Sequence, residues 1–227
     1  MPTLIKNEKR MSPNRSLQFV AFVLILSIAS QSAATQATPQ ETVHPAKDPW
    51  TFSLITDGYI VADDVSYANP NFLADHGWLH LEARYNYENL RTGSLWVGYN
   101  FSAGKKVVFN ATPMIGGVFG RTNGIAPGCA ASLTYKKLQL SISNEYVFDT
   151  GDRSQNFYYD WPQLSYSPVD WLQVGLVVQR TKAYQTSLDT QRGFFVGLSH
   201  KNKTLTSYIF NAGWTTPTVV LELGLDF

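Results

Sequence analysis

The 227-residue chain has a single cysteine, few charges and, after its N-terminal segment, no long apolar run. Cys129 has no partner within the chain, so a disulfide framework is excluded. Bases and acids nearly balance, 18 against 17, which argues against nucleic-acid binding as the protein's task. The lack of further apolar runs excludes a bundle of membrane helices. What is present is unusual beside so little charge: 44% of residues are hydrophobic and 14% aromatic. That content excludes disorder. Twelve Tyr, thirteen Phe and six Trp must fill a large core or face something other than water.

The N-terminus reads as a secretory address. Lys6, Lys9, Arg10 and Arg15 precede the apolar stretch Leu17 to Ala29, and Ser32-Ala33-Ala34 supplies small residues for cleavage. Residues 1–34 are therefore expected to be a cleaved signal peptide, whose removal takes away four bases and one acid. Residues 35–49 are polar, contain three prolines and are expected to be a flexible periplasmic lead-in. From Trp50 to Phe227 no linker or composition shift interrupts the chain, which predicts one domain over residues 50–227.

Within that domain, period-two alternation dominates. Val219, Leu221, Leu223, Leu225 and Phe227 alternate with positions that include Glu222, Gly224 and Asp226. Leu79, Leu81, Ala83, Tyr85 and Tyr87 alternate with His80, Glu82, Arg84, Asn86 and Glu88. Leu138, Leu140 and Ile142 alternate with Gln139, Ser141, Ser143 and later Glu145. Leu172, Val174, Leu176 and Val178 alternate with Gln173, Gly175 and Gln179. Such combs specify strands with one apolar face. Soluble strands average about 5–6 residues, whereas a tilted membrane strand needs about 9–11, the length of these combs. Aromatics near the comb ends, Tyr85, Tyr87, Tyr99, Phe101, Tyr135, Tyr146, Phe148, Tyr166 and Trp171, suit an interfacial girdle. The expected fold is all-β, a transmembrane antiparallel up-and-down barrel with its apolar faces toward lipid.

On these combs, and on a final strand carrying Leu221, Leu223 and Leu225 and ending in Phe227, the chain resembles Gram-negative bacterial outer-membrane β-barrel proteins, small barrels whose class fixes no activity. The resemblance implies an outer-membrane location and recognition of that last strand by the barrel-assembly machinery. Membrane lipids are the other expected partner, and the barrel is expected to be a monomer.

Eleven segments of spanning length are visible, beginning at 51–61 and 77–88 and ending at 217–227. Closed single-chain barrels have an even number of strands, so ten to twelve are expected. Asp57-Gly58, which has hairpin-turn chemistry, is a candidate for the missing break. With a periplasmic C-terminus, the short turns near 135–138, 167–171 and 200–203 lie on the periplasmic side. The connections near 117–128, 149–155 and 181–191 then lie outside.

The candidate site is a lumenal polar cluster of His80, Glu82, Arg84, Glu145, Asp160 and Gln179. Buried charges must be paired, so such a cluster either plugs a narrow barrel or lines a narrow passive channel. No metal site is expected: His76 and His80 lie four apart on a strand, about 13 Å, too far to share an ion. No cofactor is expected. An outer-membrane lipid hydrolase would need a His–Ser pairing, but Ser199 and His200 are adjacent and point to opposite faces. An enzyme is thus not expected. A secreted β-sandwich binding protein is the remaining alternative.

Overall fold

The computed structural model describes residues 49–61, 66–153, 156–182, 188–213 and 217–227. The expected signal peptide and nearly all of the lead-in lie outside them. The described chain forms thirteen strand segments: β1 (Thr51–Val61), β2 (Tyr67–His76), β3 (Leu79–Tyr85), β4 (Thr92–Tyr99), β5 (Phe101–Ala103), β6 (Val107–Gly120), β7 (Gly124–Tyr135), β8 (Leu138–Asp149), β9 (Phe157–Val169), β10 (Leu172–Lys182), β11 (Asp189–His200), β12 (Lys203–Phe210) and β13 (Thr218–Asp226). Each pairs antiparallel with its neighbour, and β1 closes the wall on β13 through Ser53↔Asp226 to Val61↔Thr218. Both β4 and β5 pair with β6 in one continuous register, so they are a single wall strand interrupted at Asn100. The wall is therefore a closed twelve-strand meander.

Following the register pairs once round the wall from Gln163 returns to β9 displaced by about 14 residues, which tilts the strands by about 40° and sets a backbone radius of about 12 Å.

Strand number was half legible. Twelve is correct, but the missing strand is β2 rather than a break at Asp57-Gly58, which lies mid-strand in β1 with Asp57 opposite Glu222. β2 reads YANPNFLADH, with Pro70 inside it and Asn69, Asn71 and Asp75 on the inward face. The comb expected to reach residue 88 instead stops at Tyr85, where Asn86 takes a left-handed φ of 60°. The connection expected over 117–128 is also much shorter, because β6 runs to Gly120 and β7 starts at Gly124.

Tight turns gather at one end of the barrel, with left-handed residues Gly77, Lys136 and Lys201 opening three of them. The other connections gather at the opposite end, called here the loop end. Alternation fixes the faces sharply: on β10, Leu176 is 63% exposed while Val177 beside it is 2% exposed. Outward residues such as Leu95, Ile115, Leu140, Leu176 and Leu223 form the apolar band that a bilayer covers. Below it, Trp50 packs on Phe52 and His76, Trp78 on Tyr99, and Phe101 on Phe109.

The hydrophobic core lies inside the barrel. Tyr59, Trp96, Phe157, Tyr159, Trp161, Phe195, Tyr208 and Phe210 all point inward and pack on one another toward the loop end. Tyr87, expected in the girdle, belongs to this group: it comes from the 86–91 connection and meets Tyr159 edge-on at 5.5 Å. Glycine makes room for the rings. A Cβ on Gly116 would lie 2.4 Å from the Trp96 ring, and one on Gly175 would lie 2.5 Å from Phe195.

Candidate functional site

Where the aromatic packing ends, the inward face turns polar. Alternation on β3 aims His80, Glu82 and Arg84 into the lumen, and β8 presents Glu145 from across the wall. Arg84 Nη1 donates to Glu145 Oε2 at 2.7 Å, and its Nε donates to Glu82 Oε2. Glu82 also accepts from Asn71 Nδ2 at 3.0 Å and lies 2.8 Å from His80 Nε2. His80 Nδ1 is 2.7 Å from Asp75, which accepts from Asn100 Nδ2 at 2.6 Å, and Asn100 Oδ1 accepts from Thr112 Oγ1 at 2.8 Å. Asn100, the residue that interrupts the wall strand, thus joins two strands' side chains inside the lumen.

Arg84 is held in place as well as paired. Its guanidinium carbon lies 4.6 Å from the Tyr87 ring centroid and 4.4 Å from that of Trp96. A cation between two ring faces, tied to two carboxylates, has little freedom to swing. Trp96 is anchored in turn, because its Nε1 donates to Ser94 Oγ at 2.9 Å and Ser94 donates to the buried Glu88. Burial holds the Tyr87 hydroxyl well above the usual tyrosine range, so it faces the lumen uncharged.

Two adjoining cavities result. The larger, about 250 Å³, is bordered by Asp57, Glu82, Arg84, Glu145, Glu222 and Gln163 among others. The second, about 190 Å³ and nearer the loop end, is bordered by Tyr59, Asn69, Glu88, Gln179 and Thr181. Tyr87 and Tyr159 border both and form the partition between them. On the far wall Glu222 accepts from Tyr208 Oη at 3.1 Å.

Buried polar atoms left without a partner among the described residues include Asn71 Oδ1 and Glu145 Oε1 in the first cavity. Asn69 Oδ1, Glu88 Oε2 and Thr181 Oγ1 are the corresponding atoms of the second. All are oxygens, and they leave lone pairs free for a donor.

Of the residues expected in one cluster, His80, Glu82, Arg84 and Glu145 do come together. Gln179 points inward but lies in the second cavity, beyond the Tyr87 and Tyr159 partition. Asp160 is not lumenal: it shares the outward face of β9 with Leu164 and Tyr166 and pairs there with Arg180. Its parity with those two apolar residues was readable from the sequence. The expected cluster left out Asp57, Glu222, Asn71 and Trp96, although Glu222 lies on the polar side of the final comb. His76 lies on the opposite face to His80 and packs on Trp50, with ring centroids 5.0 Å apart.

No family model and no curated protein sequence matches the chain. Solved structures do. The KdgM porin superposes with a TM-score of 0.52 at 14% identity, covering 77% of this chain and 98% of that one. The KdgM porin in complex with a disordered oligogalacturonate gives the same figures. Omp33 of Acinetobacter baumannii aligns over 80% of this chain and all of its own, at 11% identity and a TM-score of 0.47. The chain has the fold of the KdgM porin, and its own wall is a closed twelve-strand barrel whose outward face carries the apolar band of a membrane-spanning barrel.

Proposed function

We propose that the protein is a narrow passive channel for small solutes that are neutral or positively charged. The observation that carries this reading is the pair of stacked cavities, whose unpartnered buried atoms are four amide or carboxyl oxygens, of Asn69, Asn71, Glu88 and Glu145, and one hydroxyl, of Thr181. A solute bearing hydroxyl or ammonium donors satisfies the four amide and carboxyl oxygens, whereas a carboxylate satisfies none of those four. Charge points the same way, since the carboxyl groups of Asp57, Glu82, Glu145 and Glu222 outnumber the basic side chains, Arg84 and His80, that border the larger cavity. A narrow lumen with low-dielectric walls concentrates the ion of opposite sign.

The wall size supports a restricted passage. Barrels of about 8 strands are filled by side chains, and wide aqueous channels appear at about 16. Twelve strands with an aromatic half-plug lie between. KdgM has been solved with an oligogalacturonate; the carboxylates of such a ligand would meet like charge in this lumen, so a different solute class is expected here.

Flux through proteoliposomes tests the proposal. Small polyols and monovalent cations are expected to equilibrate faster than in protein-free vesicles, with uptake falling as solute size rises and with anionic sugars slowest. Permeability equal to that of protein-free vesicles for every solute would leave a purely structural wall.

A further inference from the structure

The outward face of the barrel carries almost no charge, and the exceptions are clustered. Among the described strands, the Asp, Glu, Lys and Arg residues on that face are Asp160, Arg180, Lys182 and Arg192, together with Lys203 at the turn end. The four lie near the loop end of β9, β10 and β11. Asp160 is opposite Arg180, Lys182 is opposite Tyr158, and Arg192 is opposite Val178, diagonal to Arg180. Diagonal neighbours on one face are about 7–8 Å apart, which a single tetrahedral anion between two long side chains can bridge.

The cluster is built rather than incidental. Asp160 is only 1% exposed although it points outward, because Arg180 lies across it. Arg180 Nε donates to Asp160 Oδ1 at 2.9 Å and Nη2 donates to Oδ2, while Tyr158 Oη donates to the same carboxylate at 2.7 Å. The carboxylate thus orients the guanidinium from the barrel side, and 43% of the Arg180 side chain stays exposed on the membrane side. Lys182 and Arg192 are exposed and add charge that Asp160 does not balance. Cations on a lipid-facing strand are costly near the bilayer centre and tolerated near the interface, where headgroups can pair with them.

We propose that Arg180, Lys182 and Arg192 form a site for the phosphate groups of an outer-leaflet glycolipid of the lipid A type. Short turns face the periplasm in barrels of this kind, so the loop end, and this patch with it, lies in the outer leaflet. Asp160 is the positioning residue, holding Arg180 with its remaining N–H donors directed at the lipid. Guanidinium and ammonium groups at this spacing meet phosphate with charge-assisted hydrogen bonds, and the apolar band directly below, including Phe194 and Leu176, accommodates the acyl chains.

The test titrates the full-length mature protein, in detergent micelles, with bisphosphorylated lipid A and with the same lipid A stripped of phosphate, reading occupancy by native mass spectrometry. The phosphorylated form is expected to bind about tenfold tighter or more. Arg180→Gln/Lys182→Gln/Arg192→Gln is expected to abolish that preference, and Lys105→Gln/Lys106→Gln, at the turn end, to retain it. Arg180→Lys/Arg192→Lys, which keeps the charge, is expected to retain at least part of it and serves if the triple variant fails to fold. Four results would overturn the assignment: equal binding of the two lipids; an unchanged preference in the triple variant; full displacement by millimolar inorganic phosphate, which would mean a free-anion site; or a change of oligomeric mass in the triple variant with lipid binding unaltered, which would mean a protein interface.

Discussion

Replacing Arg84 with alanine removes the one guanidinium on which the lumenal network is built. Arg84 is 8% exposed, Glu82 6% and Glu145 3%, so the pairs are shielded from water and the loss is not screened away. Glu82 keeps His80 and Asn71 after the change. Glu145 has no other hydrogen-bond partner among the described residues and keeps none, since its second oxygen is already unpartnered. An uncompensated buried charge of this kind costs about 3–5 kcal/mol. The partner change Glu145→Gln removes the stranded charge, so in the double variant about 1–3 kcal/mol of that loss should return. Urea unfolding in lipid vesicles, followed by tryptophan fluorescence and heat-modifiable gel mobility, measures both quantities. The same truncation widens the larger cavity and leaves its carboxylates less neutralised, so cation flux should rise. If Arg84→Ala unfolds within about 0.5 kcal/mol of the unaltered protein, or the double variant is no more stable than the single, the ion network does not hold the lumen as described.

Three further outcomes follow from the faces of the wall. Lysine at Leu140, which is 53% exposed to lipid, should destabilise the barrel by about 2–4 kcal/mol, and lysine at the inward Ser141 by much less; equal losses in vesicle unfolding would mean the faces are reversed. Gly116→Ala should push Trp96 off the wall, costing about 1–3 kcal/mol and shifting tryptophan emission; an unchanged spectrum and midpoint would show that the ring does not lie against Gly116. Phe227→Gln should lower the amount of folded barrel reaching the outer membrane, and cell fractionation showing unaltered levels would mean that assembly does not depend on the terminal aromatic.

What was legible in the sequence depended on whether the two faces of a strand differ. β3 and much of β8, β10 and β13 alternate apolar with polar residues, so their faces and the lumenal places of Glu82, Arg84 and Glu145 could be read directly. β2 alternates asparagines with alanine and proline, a contrast too weak to mark a strand. β9 begins FYYDWPQ, aromatic on both faces, because its inward Phe157, Tyr159 and Trp161 belong to the lumenal plug. A rule that sends polar residues inward therefore misplaced Asp160. The aromatic core itself was invisible for the same reason: ring content alone does not say whether a Tyr faces lipid or lumen. The high aromatic content beside so little charge has two sources, one ring of side chains at the membrane surface and another packed inside.

Single-channel recording in planar bilayers with a potassium chloride gradient tests the central claim most directly, because it reports passage and charge preference together. A small, discrete current is predicted, with a reversal potential showing cation preference and with larger steps for Arg84→Ala. No current from folded protein across a range of salt, or a reversal potential showing anion preference, would contradict the account.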